Sequence, residues 1–193
     1  MRATHAASYG AALEHLPHHV IPFADSAFAQ RTHVALAPDA RLLLWEGLAA
    51  GRVARGERFA FRSLASPLRI EREGQPLVVD GLELAGGAEP LAVGGSEHVR
   101  GSDIGGGGPF GGRDYLVGAY VVAPRPLGPL ADELHEVLSG MPDVLGSASA
   151  PAPGLCAVRV LAESAPALYA ALGRVRAAAR AALDLGPTPR EVG

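Results

Sequence analysis

Between residues 40 and 52 the chain reads ARLLLWEGLAAGR, an almost unbroken apolar run with one carboxylate, Glu46, set inside it. Its length suits a strand, and a strand this apolar has to be covered on both faces. The segments around it also read as strands. ALEHL is a short one. AFAQRTHVAL alternates, with Phe28, Gln30, Thr32 and Val34 on one side and Arg31 and His33 on the other. ERFAFRSLASPLRIER alternates again, anchored by Phe59, Phe61, Leu68 and Ile70, and PLVVDGLELAG follows. Turns are expected at Pro17, at Pro22 and within 38–40, 54–57 and 73–76.

Residues 86–113 are glycine-rich with little periodicity and read as a long mobile loop. LVGAYVVAP and GLCAVRVLA return to strand. Two segments have helical spacing. PLADELHEVLSG places Leu130, Leu134, Val137 and Leu138 on one face and stops at Gly140. The second, 164–186, starts at a Ser164 cap, carries Leu168, Leu172, Val175, Ala179 and Leu183 as its stripe, and ends at Gly186. Residues 187–193 should fray. Many strands followed by two helices point to one mainly β domain over 1–193 with two α-helices near the C-terminus, not to alternating parallel α/β units.

Composition removes several functions. Net charge is −3 and the 17 basic residues are all arginine. Without lysine there is no P-loop lysine and no Schiff base. The arginines are scattered, unlike the basic stripe of a nucleic-acid binder. No apolar run approaches the ~18 residues of a membrane span. The first residues lack a signal peptide's compact apolar block. A soluble, cytoplasmic chain is expected, with no nucleic acid and no membrane as partner. The single cysteine, Cys156, lies in an apolar stretch and reads as a buried small hydrophobe. GGGGPFGG lacks the P-loop lysine and hydroxyl, and GSDIGGG does not fit G-x-S-x-G, so a hydrolase has no positive signal.

Two groups of residues could carry chemistry. The stretch HLPHHVIPFADSAFAQRTH holds His15, His18, His19 and His33. Pro17 and Pro22 forbid a helix that would align His15 with His19. On extended chain the two lie roughly 13 Å apart, too far for one ion. The three are therefore solvated turn histidines, weak metal contacts brought together by a turn at Pro17, or part of a site shared with another chain. Imidazole suits Ni²⁺ and Zn²⁺ alike. Glu46 is costly in an apolar strand unless paired or solvated. It either pairs with Arg31, Arg52 or Arg55, or lines an internal polar passage and holds a transient cation there. Asp25, in the turn PFADS, is either a turn cap or a second such carboxylate.

The order and spacing of these blocks resemble the urease accessory protein D (UreD/UreH) family, in a form short at its N-terminus. LEHLP precedes the turn IPFA and SAFAQRT. LLLWE precedes GLAAGRVARGERFAF. SPLRIER precedes PLVVDGLEL, and RVRAAARAAL lies in the final helix. The likeness is closer over 9–85 than over 115–185 and absent from the glycine-rich loop. It implies an elongated, β-helix-like stack of strands and a non-catalytic scaffold with no tightly bound cofactor. Such a scaffold binds urease apoprotein and UreF, through which the GTPase UreG is recruited, and helps insert nickel into urease. It further implies an internal route for Ni²⁺, for which Glu46, Asp25 and His33 are the candidates, and a docking surface for UreF that could include Arg174, Arg176 and Arg180. A nickel- or zinc-binding carrier is the alternative of a different class, and a hydrolase the third.

Overall fold

A computed structural model describes residues 1–85 and 108–186. The fraying tail expected at 187–193 and residues 86–107 of the expected loop lie outside the described residues. The rest of that loop includes a 3-10 turn, Gly108–Phe110, whose Phe110 is buried.

Among the described residues ten strands and two α-helices follow one another: β1 (Arg2–Ala7), β2 (Ala12–His15), β3 (Ala27–Ala29), β4 (Arg31–Leu36), β5 (Arg41–Ala49), β6 (Ser63–Arg72), β7 (Gln75–Ala85), β8 (Tyr115–Val122), α1 (Gly128–Ser139), β9 (Val144–Ala152), β10 (Leu155–Ala162) and α2 (Ala165–Ala182). An outer sheet runs β1-β4-β6-β3, with β7 also on β6, and a central sheet runs β2-β5-β8-β10-β9. The chain is mainly β with two late helices. Up to β8 the chain passes repeatedly between the two sheets, and β1–β4, β4–β6, β3–β6 and β2–β5 pair in parallel. That coil-like winding is confined to these pairs; β7, β8, β9 and β10 pair antiparallel.

β5 shows why the apolar run forms. Leu42 and Leu44 face the outer sheet and pack with Val34, Leu36 and Ile70, while Leu43 and Trp45 face the helices and pack with Leu134, Leu168 and Val175. The central sheet is thus a middle layer, sandwiched between the outer sheet and the helix pair. α2 buries its whole expected stripe, Leu168, Leu172, Val175, Ala179 and Leu183. At ~1.5–3 kcal/mol for each large apolar side chain removed from water, that stripe is what fastens the helix down.

The ends of α2 are closed by side chains. Ser164 Oγ accepts from the Ala167 amide at 3.3 Å. At the far end of α2 Arg41 donates to the Leu183 carbonyl at 2.6 Å, and Arg180 to the Leu185 carbonyl at 2.8 Å. Cations there suit the negative end of the helix dipole. Between β6 and β7, Glu73 and Gly74 both have positive φ, 52° and 75°, the two-residue turn that matches hairpin twist.

Three sequence expectations change. The strand read from residue 57 begins only at Ser63, because Phe59 stands at φ 53° and turns its ring against Phe110. AFAQRTHVAL is broken at Gln30 into β3 and β4. β1 and β9 were not foreseen; both are edge strands poor in β-branched and aromatic residues.

Candidate functional site

Strand alternation should fill the space between the sheets with apolar side chains, and toward β2 and β5 it does. Further along, the inward positions turn polar. Thr32, Leu68 and Asp80 form one cross-strand row of the outer sheet, and Glu46, Gly118 and Arg159 form the row of the central sheet. A cavity of about 140 Å³ lies between them, lined by Glu46, Ser66, Asp80, Tyr120 and Arg159, with Phe28 and Leu116 in its apolar wall. That volume holds several water-sized molecules.

Glu46 is fixed by hydroxyls. Its carboxylate accepts from Thr32 and, at 3.0 Å, from Ser66, whose oxygen in turn accepts from Gln30 Nε2 at 2.9 Å. The expected ion pair with Arg31, Arg52 or Arg55 is not formed among the described residues. Arg52 instead makes a bidentate pair with Glu57, at 2.8 and 2.5 Å, which holds the Glu57 carboxyl below its usual range. Two neutral donors leave Glu46 with unused lone pairs facing the cavity. On the far side Asp80 accepts from both Tyr120 and Arg159, and the Arg159 guanidinium also lies over the Tyr120 ring, 5.4 Å from its centroid. Gly118 makes room for this: a Cβ there would stand 2.8 Å from Arg159 Nη1.

The other candidates are dispersed. Asp25 is an exposed turn residue at φ 58°. His33 points to the outside of the outer sheet, where its Nε2 meets Glu71 at 3.2 Å. Together with Arg69, it holds the Glu71 carboxyl below its usual range, Arg69 being the larger cause. His18 and His19 both place Nδ1 against the Tyr169 hydroxyl, at 2.9 and 3.1 Å, the tautomer of each ring setting which atom donates. Burial, and secondarily His18, lowers the pKa of His19. His15 is turned inward and its ring meets that of His5 at a 48° tilt, with ring centroids 4.5 Å apart. Among the described residues no three His, Cys, Asp or Glu side chains converge in a set able to hold a metal. Of the helix arginines, Arg174 is exposed, whereas Arg176 and the buried Arg180 turn back to Glu14, Arg176 at 3.8 Å.

His5, Asp80, Tyr120 and Arg159 were not singled out in the sequence. Asp80 was within reach, since alternation from the buried Val78 puts it on the inward face. Arg159 alternates the same way with Leu155 in β10. Cys156 is fully buried on the helix side, and burial pushes its thiol up to about 11.

The geometry is that of a layered β frame with a small, partly open cavity, largely apolar in its lining, into which Glu46, Asp80 and Arg159 bring charge. Residues 1–192 match the family described as UreD urease accessory protein, and the chain belongs to that family. It is 38% identical over 185 residues to urease accessory protein UreD 2 of Streptomyces griseus, covering 95% of this chain and 59% of that relative. It is 32% identical over 173 residues to urease accessory protein UreD of Mycolicibacterium gilvum, 89% of this chain and 57% of the relative. A third, urease accessory protein UreD of Herpetosiphon aurantiacus, is 44% identical over 80 residues, 42% of this chain and 28% of the relative. The chain thus spans less than two thirds of the length of these relatives. Among the described residues no helix is long and apolar enough to cross a membrane.

Proposed function

We propose that this chain acts in urease maturation as a cytoplasmic, non-catalytic scaffold. It binds urease apoprotein and UreF, recruits the GTPase UreG through UreF, and lets Ni²⁺ pass on its way to the urease active site. The observation that carries the reading is the inter-sheet cavity with Glu46 on its wall. A carboxylate held by two hydroxyls, with no cation of its own among the described residues, can receive a divalent ion and release it again. A tight ligand cage would not release its cargo.

Family membership supports the urease context. The test is activation of apo-urease by Ni²⁺ with the full set of accessory proteins, with and without this chain. Activation that proceeds equally well without it would end the reading. A nickel- or zinc-storing carrier would need a closed ligand set, and the described residues offer none of three or more. Equilibrium dialysis with Ni²⁺ separates the two: a carrier holds the ion tightly as a lone chain, whereas a scaffold binds it weakly or only in complex.

A further inference from the structure

We propose that His5 and His15 form a two-imidazole landing site for a divalent transition metal ion at the β1/β2 side of the sandwich, one step before Glu46. The inference rests on the passage reading above and adds an entry point to it.

The placement follows from register. His5 in β1 is paired with the buried Val34, and His15 in β2 with the buried Leu44. Each strand lies at the edge of its sheet, so the two rings meet across the gap between the sheets. Glu46 is two residues beyond Leu44 on the same face of β5, hence diagonal to His15, and its charge is felt there. Burial lowers the pKa of His15 most, His5 lowers it further, and Glu46 opposes both. Burial thus favours the neutral ring, the form that ligates metal.

One observation points to a ligand between the rings, and their spacing, though also that of an ordinary ring contact, is compatible with it. Neither ring makes a hydrogen bond among the described residues, and His5 Nε2 is buried without a partner. An unpaired buried ring nitrogen is costly unless something fills it. The spacing also fits. Two imidazoles cis on an octahedral or square-planar ion, with metal–nitrogen bonds of ~2.1 Å, hold their centroids roughly 4.6 Å apart, against roughly 5.3 Å for a tetrahedral ion. The rings here are 4.5 Å apart. Two protein ligands with water completing the shell make a site that catches an ion and gives it up. His18 and His19, by contrast, already spend their Nδ1 atoms on Tyr169.

The test is a titration of the full chain with Ni²⁺ alone, followed through the imidazole side-chain NMR signals. Paramagnetic broadening at substoichiometric Ni²⁺ should reach His5 and His15 before His18, His19 or His33. His15→Asn should remove the early broadening of His5, and His5→Asn that of His15. Each variant's unfolding transition should stay cooperative, so that loss of the site is not loss of the fold. Broadening that begins at His18 and His19, or that survives in either variant, overturns the proposal. None of these outcomes depends on urease, so the site can fail while the scaffold reading, judged by activation, stands.

Discussion

Arg159 on the central sheet reaches Asp80 on the outer sheet, and this pair lines the same cavity as Glu46. Both members are substantially exposed, 47% and 31%. Such a pair is a latch at the rim, and it contributes little to holding the layers together. Arg159→Met should shift stability by less than about 1 kcal/mol, as read from urea unfolding. In urease activation it should change the rate of nickel insertion.

Glu46→Gln keeps the shape of the side chain and removes its charge. Thr32 and Ser66 donate to different oxygens of Glu46, so one of them can still donate to the amide oxygen while the other turns to accept from the new NH2 group. The variant should fold and retain UreF in co-purification, yet activate apo-urease less than the parent. A variant that fails to fold would mark Glu46 as a structural residue only.

Gly118 and Gly81 should respond oppositely to alanine. At Gly118 the new Cβ meets the movable end of Arg159, which can swing away. At Gly81 it meets backbone, 2.9 Å from the Pro67 Cα and 3.1 Å from the Ser66 carbonyl oxygen. Gly81→Ala should therefore cost about 1–3 kcal/mol in thermal or urea unfolding. Gly118→Ala should stay near the parent in stability and free Asp80 from Arg159.

The UreF surface is tested better by charge reversal than by truncation. Deleting α2 would uncover Leu43, Val158 and Val160 of the central sheet and unfold the chain. Arg180 is committed to Glu14 and to the carbonyls that follow the helix. Arg174→Glu changes only an exposed side chain and should weaken UreF co-purification with unchanged melting. An unaltered complex would remove Arg174 from the interface.

His15 and His19 have folded-state pKa values below their usual value, burial being the first cause for each. The unfolded chain therefore takes up protons first as the pH falls below about 6.5. More protons on the unfolded side means that stability rises with pH across this window and is lost on acidification. Melting temperature should fall from about pH 7.5 to 5, and His15→Gln should flatten part of that decline.

Most of the frame could be read from residue patterns. The run around Leu42–Trp45 demanded cover on two faces and received it, and the α2 stripe and Ser164 cap were both legible. β1 and β9 escaped because edge strands bury few residues, so their sequences carry little of the period-2 signal. Glu46 could be suspected because one charge in an apolar strand is conspicuous. Its partners could not. Thr32 and Ser66 are ordinary hydroxyl residues that become ligands of Glu46 only once β4, β5 and β6 are stacked. His15 likewise found its neighbour in His5, ten residues upstream on the other sheet, and not in the conspicuous pair at 18 and 19.

Cys156 lies on the face of the central sheet that α1 and α2 cover. A thiol reagent can reach it only after that covering lifts. The speed of its modification is therefore a label-free clock for the parting of helices from sheet, and it would show directly whether docking of a companion protein clamps that seam or pries it apart.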